Sequence, residues 1–263
     1  LYYDNTQTVT GSGQIVFGAA NGYTNYLQAN SNNGSILTLD TGITLAAKNG
    51  LSGSIQLGAN TYDKIVNLGT ITANQSGYSF TTYGTFTNAS GAHLNVSAGT
   101  FNLGNSTTAT WSNAGNIAIS GGTLNLGGAL KTDNLGTITQ SASGVVNFVG
   151  TLDNTAASNP TTGGTLNLST VGLTTVNLGS GVVVTGGTLA GTAALTASSA
   201  TLDGVTLDTD LTIGLAGNLH LKNGLTFANN HVLNVGPGAG NGHSLLYYDN
   251  TQTVTGSGQI VFG

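Results

Sequence analysis

The chain has 263 residues, of which only 5% are charged, whereas charged residues make up roughly a quarter of a typical globular protein. Its basic residues are four lysines, its acidic residues are nine aspartates, and its formal net charge is −5. This balance excludes a basic nucleic-acid-binding surface and a polybasic membrane patch, and the absence of cysteine excludes disulfides.

An identical segment of eighteen residues opens and closes the chain. Residues 1–18 and residues 246–263 both read LYYDNTQTVTGSGQIVFG, at an offset of 245 residues. A match of this length is not a chance event, and a fixed period is the signature of a repeat architecture. We therefore predict that residues 1–245 form one unit of a tandem array within a longer chain, and that residues 246–263 begin the next identical unit.

A second, shorter pattern runs through the unit in chain order: an apolar residue, any residue, an apolar residue, and then glycine or a small polar residue. Alternation with a period of two predicts strands, and the helix formers Glu, Arg and Met are absent. The spacing averages about 22 residues, so about eleven copies fill the unit. The copies begin at Ile15, Leu37, Ile55, Tyr78, Phe101, Leu124, Val146, Leu166, Thr188, Leu211, Leu233 and Ile260.

Short strands recurring in coils of this length, with Gly, Asn and Ser at the turns, predict an all-β parallel β-helix, or solenoid. Each strand then pairs with its equivalents in the coils above and below, about 4.8 Å away. About eleven coils predict a unit length of about 53 Å. Asparagines in the middle of the short pattern could stack as a ladder of side-chain amides, although asparagine is also simply common in this chain. The candidate ladder is Asn102, Asn125, Asn147 and Asn167.

Glycine followed by threonine and an apolar residue marks the predicted corners of the coil. Glycine adopts positive φ without strain, and β-branched threonine favours the strand that follows. The spacing of these corners predicts a coil with about three faces. The corner glycines are Gly69, Gly84, Gly99, Gly136, Gly150 and Gly164.

The unit is not uniform along its length. All nine tyrosines and Trp111 fall within residues 1–111 or within the copy at 246–263, which predicts a bulkier core or an aromatic outer face in the early half. Residues 19–34 and residues 236–242 are rich in Gly and Asn, and we predict a loop or irregular turn at each.

Three strings resemble the repeats of bacterial autotransporter passengers and filamentous-haemagglutinin-type adhesins: Thr123–Gly127, Thr137–Gln140 and Thr165–Ser169. The resemblance covers most of the chain and rests on the style of degenerate repeats. It implies a secreted, surface-attached, right-handed β-helix used for adhesion or scaffolding. The perfect recurrence after 245 residues departs from that family and indicates a fibre.

Parallel β-helices also include polysaccharide lyases and hydrolases, so catalysis is a further hypothesis. Asp203, Asp208 and Asp210 form the best carboxylate cluster, and alternation places Asp208 and Asp210 on one strand face, as a calcium site or an acid–base pair needs. The chain has no arginine to bind a uronate, and the nearest lysine is Lys222. Solvated turn aspartates are therefore the preferred interpretation.

Other motifs predict no catalytic residue, no cofactor and no metal site. The histidines lack metal-ligand spacing and are expected at surface or turn positions, and two matches to the glycosylation sequon, at Asn33 and Asn88, are expected by chance in so Asn- and Ser-rich a chain. Four tyrosines remain open between a sugar- or surface-contacting patch and packing in the core. The histidines are His93, His220, His231 and His243, and the tyrosines are Tyr2, Tyr3, Tyr23 and Tyr26.

We predict a structural, non-enzymatic protein whose solenoid units stack coaxially into an extracellular or cell-surface filament. Its partner is itself, through the next unit along the axis and through lateral contact with other filaments. The alternative is an adhesin passenger or stalk that binds carbohydrate or a surface, and the third hypothesis is a polysaccharide-degrading enzyme. No run approaches the roughly eighteen apolar residues of a membrane span.

Overall fold

Parallel strands form nearly all of the regular structure in the computed structural model. Among the described residues the only helix is one 3₁₀ turn at Thr132–Asn134, and the strand pairs below are all parallel. The prediction of an all-β parallel solenoid is therefore confirmed. The described residues are 1–18, 22–30, 34–141, 143–236 and 242–263. The chain forms two units: Leu1–Leu130 with Asn134–Val146 (unit 1), and Lys131–Asp133 with Asn147–Gly263 (unit 2).

Unit 1 is a coil with three faces, because consecutive strands along the chain join different parallel ladders. The first face holds β1, β4, β7, the later parts of β9 and β11, and β14. The second holds β2, β5, β8, β10 and β12, and the third holds β3, β6, the early parts of β9 and β11, β13 and β16. The strands are β1 (Tyr2–Tyr3), β2 (Gln7–Val9), β3 (Gly13–Phe17), β4 (Thr24–Ala29), β5 (Ile36–Leu39), β6 (Ile43–Ala47), β7 (Gly53–Leu57), β8 (Lys64–Asn67), β9 (Thr70–Thr82), β10 (Thr85–Asn88), β11 (His93–Leu103), β12 (Thr110–Asn113), β13 (Asn116–Ile119), β14 (Thr123–Leu126), β15 (Ala129–Lys131), β16 (Thr137–Gln140) and β17 (Val145–Phe148), the boundary between the units falling within β15 and β17.

Unit 2 also has three faces, and two of its strands each run across all three. Its first face holds β20, the early parts of β23 and β24, β25 and β28. The second holds β18, β21, the middle parts of β23 and β24, and β26, and the third holds β19, β22, the late parts of β23 and β24, and β27. The strands are β18 (Thr151–Asp153), β19 (Thr165–Asn167), β20 (Thr175–Leu178), β21 (Val182–Thr185), β22 (Thr188–Ala190), β23 (Ala194–Asp208), β24 (Leu211–Phe227), β25 (Val232–Val235), β26 (Leu245–Tyr248), β27 (Val254–Gly256) and β28 (Gln259–Phe262).

The coils differ in length more than the sequence pattern indicates. In unit 1 Thr8 pairs with Thr38, thirty residues on, and in unit 2 Leu195 pairs with Leu211, sixteen residues on. Three successive copies of the short pattern, expected to be equivalent, therefore lie on the three different faces of unit 1. These are the copies at Ile15–Gly18 (third face), Leu37–Asp40 (second face) and Ile55–Gly58 (first face).

The loop predicted for residues 19–34 is wrong in its centre, where β4 forms. Leu27 and Ala29 alternate with outward residues and are buried. Leu27 stands in register with buried Leu57 of β7, and Ala29 with buried Tyr3 of β1. Of the second predicted turn, Gly236 has a positive φ of 96°, and residues 237–241 lie outside the described residues.

The cores of the two units differ in the way that the aromatic distribution predicts. In unit 1 the rings of Phe80 and Phe101 stack with centroids 5.7 Å apart, and Trp111 is buried with its Nε1 donating to the Gly127 carbonyl at 3.0 Å. In unit 2 the inward positions are filled mainly by leucine, valine and alanine. Each fully buried large side chain contributes about 1.5–3 kcal/mol.

The Gly-Thr corners form in part as predicted: Gly84, Gly99, Gly136 and Gly164 have positive φ, whereas the prediction is wrong for Gly69 and Gly150, which do not. Threonine begins β9, β10, β16, β18 and β19, whereas Thr100 lies inside β11. Gly84 shows what the corner needs: its φ is 66°, and a Cβ there would lie 2.2 Å from the Asp63 carbonyl oxygen. The close approach of the neighbouring coil, together with the backbone angle, therefore selects glycine.

Candidate functional site

Copy 1 of the repeated segment, residues 1–18, forms one coil edge of unit 1. Its three strands pair with β4, β5 and β6. Tyr3 and Phe17 point inward and are 3% and 7% exposed, and the Tyr3 hydroxyl donates to the Lys64 carbonyl at 3.4 Å. Burial, and then the nearby Asp63 carboxylate, raise the pKa of Tyr3 to about 12. The paired positions include Tyr2 with Gln28, Thr8 with Thr38, and Val16 with Ala46.

Copy 2, residues 246–263, lies in unit 2 and pairs with the coil that precedes it. Its strands lie against β24 and β25. Gln252 fixes the position of the copy: its Nε2 donates to the Leu221 carbonyl at 2.6 Å, and its Oε1 accepts from the Gly224 N–H at 2.9 Å. The rings of His220 and Tyr247 stack with centroids 4.6 Å apart. The paired positions include Tyr247 with His220, Thr255 with Thr226, and Val261 with Asn234.

The two copies turn the same side chains inward but have neighbours on opposite sides. Tyr248 stands in register with buried Leu221, and Phe262 with buried Val235. Yet Tyr248 is 53% and Phe262 71% exposed, because among the described residues no strand pairs with the far edge of copy 2. The edge of copy 2 that corresponds to the covered edge of copy 1 thus has no described strand beside it, and backbone groups of that edge stand next to these apolar side chains.

The carboxylates expected to cluster do so only in part. His231 joins Asp208 and Asp210, with its Nε2 3.4 Å from Asp208 Oδ1 and its Nδ1 2.9 Å from Asp210 Oδ1. Asp203 lies on another face of unit 2, where its carboxylate accepts from Asn223 Nδ2 at 2.6 Å. Asn229 Nδ2 also donates to Asp208 at 2.6 Å, so each of the three aspartates binds a side chain from the following coil.

The surroundings of Asp210 favour a charged, paired carboxylate. The Val232 N–H donates to Asp210 Oδ1 at 2.9 Å, and this bond, followed by the contact with His231, holds the pKa of Asp210 below its usual value even though partial burial opposes the shift. Asp210 and His231 line an open groove of about 500 Å³. Within the described part of the chain, no group of three or more His or Asp side chains could hold a metal ion.

The four candidate tyrosines separate into two classes. Tyr3 is buried, whereas Tyr2, Tyr23 and Tyr26 are 61%, 74% and 38% exposed. Tyr2 stands in register with Gln28, two residues along β4 from Tyr26 on the same outward side, so Tyr2 and Tyr26 are diagonal neighbours on the first face of unit 1. Tyr62, which the sequence reasoning did not single out, is also exposed.

A buried amide ladder runs through unit 1 at positions that the sequence reasoning missed. Asn67 Nδ2 donates to Asn88 Oδ1 at 2.9 Å, and Asn88 Nδ2 donates to Asn113 Oδ1 at 2.8 Å. Asn113 Nδ2 donates to the Leu135 carbonyl at 3.0 Å, and all three asparagines are 5% exposed or less. The available signal was an apolar-x-Asn ending shared by β8, β10 and β12.

The predicted outer ladder is confirmed for one pair and wrong for another. Asn125 Nδ2 donates to Asn102 Oδ1 at 2.7 Å. Asn147, however, pairs with Asn177, whose Nδ2 donates to it at 3.3 Å. Asn167 pairs with Ala190 on another face of unit 2, so it is not a member of this ladder.

Two glycosylation sequons and two further histidines remain from the sequence predictions. The sequon at Asn88 is buried and engaged in the ladder, so its amide is not accessible in the folded chain. Asn33 lies outside the described residues. His93 and His243 are exposed, as expected for surface histidines.

Comparisons with protein-family models, curated proteins and solved structures found no match to this chain. The parallel β-solenoid fold agrees with the resemblance to β-helical surface proteins at the level of fold alone. No helix in the described ranges is both long and apolar enough to cross a bilayer.

Proposed function

We propose that this chain is a structural protein whose 245-residue units stack coaxially into an extracellular or cell-surface filament. The observation that carries the proposal is the repeated segment: its second copy pairs, among the described residues, only with β24 and β25, and leaves Tyr248 and Phe262 exposed. The same eighteen residues in copy 1 are covered by β4, β5 and β6. A following unit supplies that cover.

The proposed mechanism is mechanical and non-enzymatic. Coaxial continuation pairs the last strands of one unit with the first coil of the next, which removes the open edges that would otherwise aggregate. Few charges oppose the approach of neighbouring filaments. In support of a non-catalytic role, Asp208 and Asp210 are held by His231 and Asn229.

A two-unit chain, carrying residues 1–245 followed directly by residues 1–263, tests the proposal. Electron images of the purified chain should show straight rods twice the length of single-unit rods, with a layer line at about 4.8 Å and an axial repeat of about 50 Å. Two rods joined at a flexible hinge between the units would overturn the coaxial filament.

The exposed tyrosines favour a second candidate, an adhesin that binds carbohydrate through unit 1. Aromatic rings with one face open to solvent are suited to stacking on sugar rings, and Tyr2, Tyr23 and Tyr26 are exposed on neighbouring segments. A glycan array should then give signals that Tyr23→Ala and Tyr26→Ala remove, while the buried-tyrosine variant Tyr78→Phe keeps them. Binding that survives both alanine substitutions would eliminate this site.

A further inference from the structure

We propose that the two copies of the repeated segment are interchangeable between molecules, so that copy 2 of one chain replaces copy 1 on β4, β5 and β6 of a second chain. The partner is another copy of this protein, and the product is a non-covalent, head-to-tail junction. The inference rests on the proposed function, because it names the surface through which units join when no peptide bond links them.

Sequence identity is the first argument for exchange. β4, β5 and β6 contact copy 1 through inward side chains: Tyr3 stands against Ala29, and Phe17 against Ala47. Copy 2 carries the same inward residues as Tyr248 and Phe262. The receiving edge therefore has no side chain by which to distinguish the copies.

Complementary edges are the second argument. Copy 1 is paired only with the coil that follows it, and copy 2 only with the coil that precedes it, among the described residues. An exchanged junction gives copy 2 a neighbour on both sides: β24 and β25 of its own chain, and β4, β5 and β6 of the partner. Both apolar side chains left exposed at the open edge become buried.

Pre-ordering of copy 2 is the third argument. Backbone hydrogen bonds already hold copy 2 along the edge that faces the preceding coil. The Asp249 N–H donates to the Leu221 carbonyl at 3.1 Å, and the Gln259 N–H donates to the His231 carbonyl at 3.0 Å. Docking a segment that is already extended costs less ordering than docking a free one.

Copy 1 opposes exchange because it is tethered to the edge that it covers. An attached segment acts at an effective concentration of the order of millimolar, so at about 10 μM protein the tether favours copy 1 by about a hundredfold. Loosening copy 1 should therefore promote assembly. The substitutions Tyr3→Asp and Phe17→Asp place charges at two buried contacts and leave copy 2 untouched.

Cysteine pairing tests the register, because the natural chain has no cysteine. In copy 1, Tyr2 pairs with Gln28, so exchange should bring Tyr247 of one chain opposite Gln28 of another, at the Cα separation of about 5 Å that suits a disulfide. We expect a mixture of Tyr247→Cys and Gln28→Cys chains to form about tenfold more cross-linked dimer when the Gln28→Cys chain also carries Tyr3→Asp and Phe17→Asp.

Two controls keep the test falsifiable. Gln56 pairs with Tyr26, one coil further from copy 1, so a Gln56→Cys chain should not cross-link to Tyr247→Cys, and equal yields would show random collision and overturn exchange. In the background with intact Tyr3 and Phe17, cross-linking to Gln28→Cys should increase with protein concentration. A flat, background-level yield there would also overturn exchange, whether or not the aspartate variant folds.

The exchange and the filament proposal can fail separately. A two-unit chain that forms straight rods, without cross-linking between single-unit chains, would remove the interchangeable junction and leave the filament proposal intact. A two-unit chain hinged at its centre would remove the filament proposal whatever the cross-linking shows.

Discussion

Asn88 occupies the middle of the buried ladder in unit 1, donating to Asn113 and accepting from Asn67. We expect Asn88→Ala to lower the free energy of unfolding by about 2–4 kcal/mol, because the buried amides on both sides lose a partner. Asn102 is the matched control, since it belongs to the half-exposed outer ladder and water can replace its bonds. Asn102→Ala should cost less than about 1 kcal/mol in the same urea titration.

Tyr3 predicts a loss of stability at alkaline pH. Its pKa is raised to about 12 in the folded chain against about 10 in the unfolded chain, so burial of the neutral phenol contributes stability that is full below pH 10 and is lost as the pH rises towards 12. The loss is up to about 2–3 kcal/mol.

Unfolding free energies at pH 9 and pH 11.5 measure this loss. Tyr3→Phe should reduce the difference in unfolding free energy between pH 9 and pH 11.5, because phenylalanine keeps the buried ring and has no ionising hydroxyl. Tyr248→Phe is the control with the same sequence context and an exposed ring, and it should leave the difference unchanged. An equal reduction in both variants would contradict the prediction.

At the corners of unit 1, the backbone angle and the closeness of the neighbouring coil together decide which positions require glycine. Gly84 and Gly91 both have positive φ, at 66° and 81°, but only Gly84 faces the neighbouring coil. A Cβ at Gly84 would lie 2.2 Å from the Asp63 carbonyl oxygen, whereas a Cβ at Gly91 would meet nothing within 4 Å. Gly91→Ala should therefore cost about 1 kcal/mol, from the backbone angle alone. Gly84→Ala should cost more than about 2 kcal/mol.

Thermal unfolding of the two alanine variants beside the natural chain separates the two causes. Equal shifts in melting temperature would mean that the backbone angle alone selects glycine at these corners, and that the close approach of the neighbouring coil adds nothing.

Alternation predicted which residues face the core, but the sequence did not reveal how far apart equivalent strands lie. The sequence pattern matches Asn102 to Asn125 correctly because the 23 residues that separate them are close to the average spacing of the short pattern. Asn147 was matched to Asn167 instead of Asn177, because a turn of variable length intervenes. That turn is built from hydrogen bonds to Asp153, whose carboxylate accepts from Ser158 and Thr155, and such side-chain bonding leaves no periodic signal.

The candidate site was predictable in a similar, partial way. The identity of copies 1 and 2 can be read directly from the sequence. Strand alternation also predicts that Tyr248 and Phe262 point inward. That the two copies have neighbours on opposite sides depends on strand pairing between distant parts of the chain. Periodicity within one strand carries no information on that pairing.

Across the whole molecule we expect amide protection to be lowest at the open edge of copy 2. Among the described residues, strands β26–β28 are paired on one side only, and two of their inward side chains, Tyr248 and Phe262, are exposed, whereas β11 is paired on both sides. Local opening at β26–β28 therefore costs little free energy. Hydrogen exchange there should be faster than in β11.

Mass spectrometry measures this difference if the digest retains flanking residues. Peptides from the two copies have identical masses, so fragments that include Ser244 and Leu245 identify copy 2. In the two-unit chain Ser244 and Leu245 precede both the internal and the terminal copy, so fragments that also run past Gly18 into Ala19 identify the internal copy. The internal copy should exchange more slowly than the terminal one. Protection equal to that of β11 in the single-unit chain would contradict an open edge.

The direction of the hydrogen bonds gives the coils a particular response to pulling force. In a parallel β-helix these bonds point along the coil axis, so tension applied to the chain ends loads them one coil at a time. The coil from Thr87 to Ser112 contributes about 4.8 Å of length when folded and about 80–90 Å when stretched out. Coils that detach one after another would thus lengthen the chain many-fold before any covalent bond carried the load. Detachment should slow at the coils of unit 1 that the buried asparagines join.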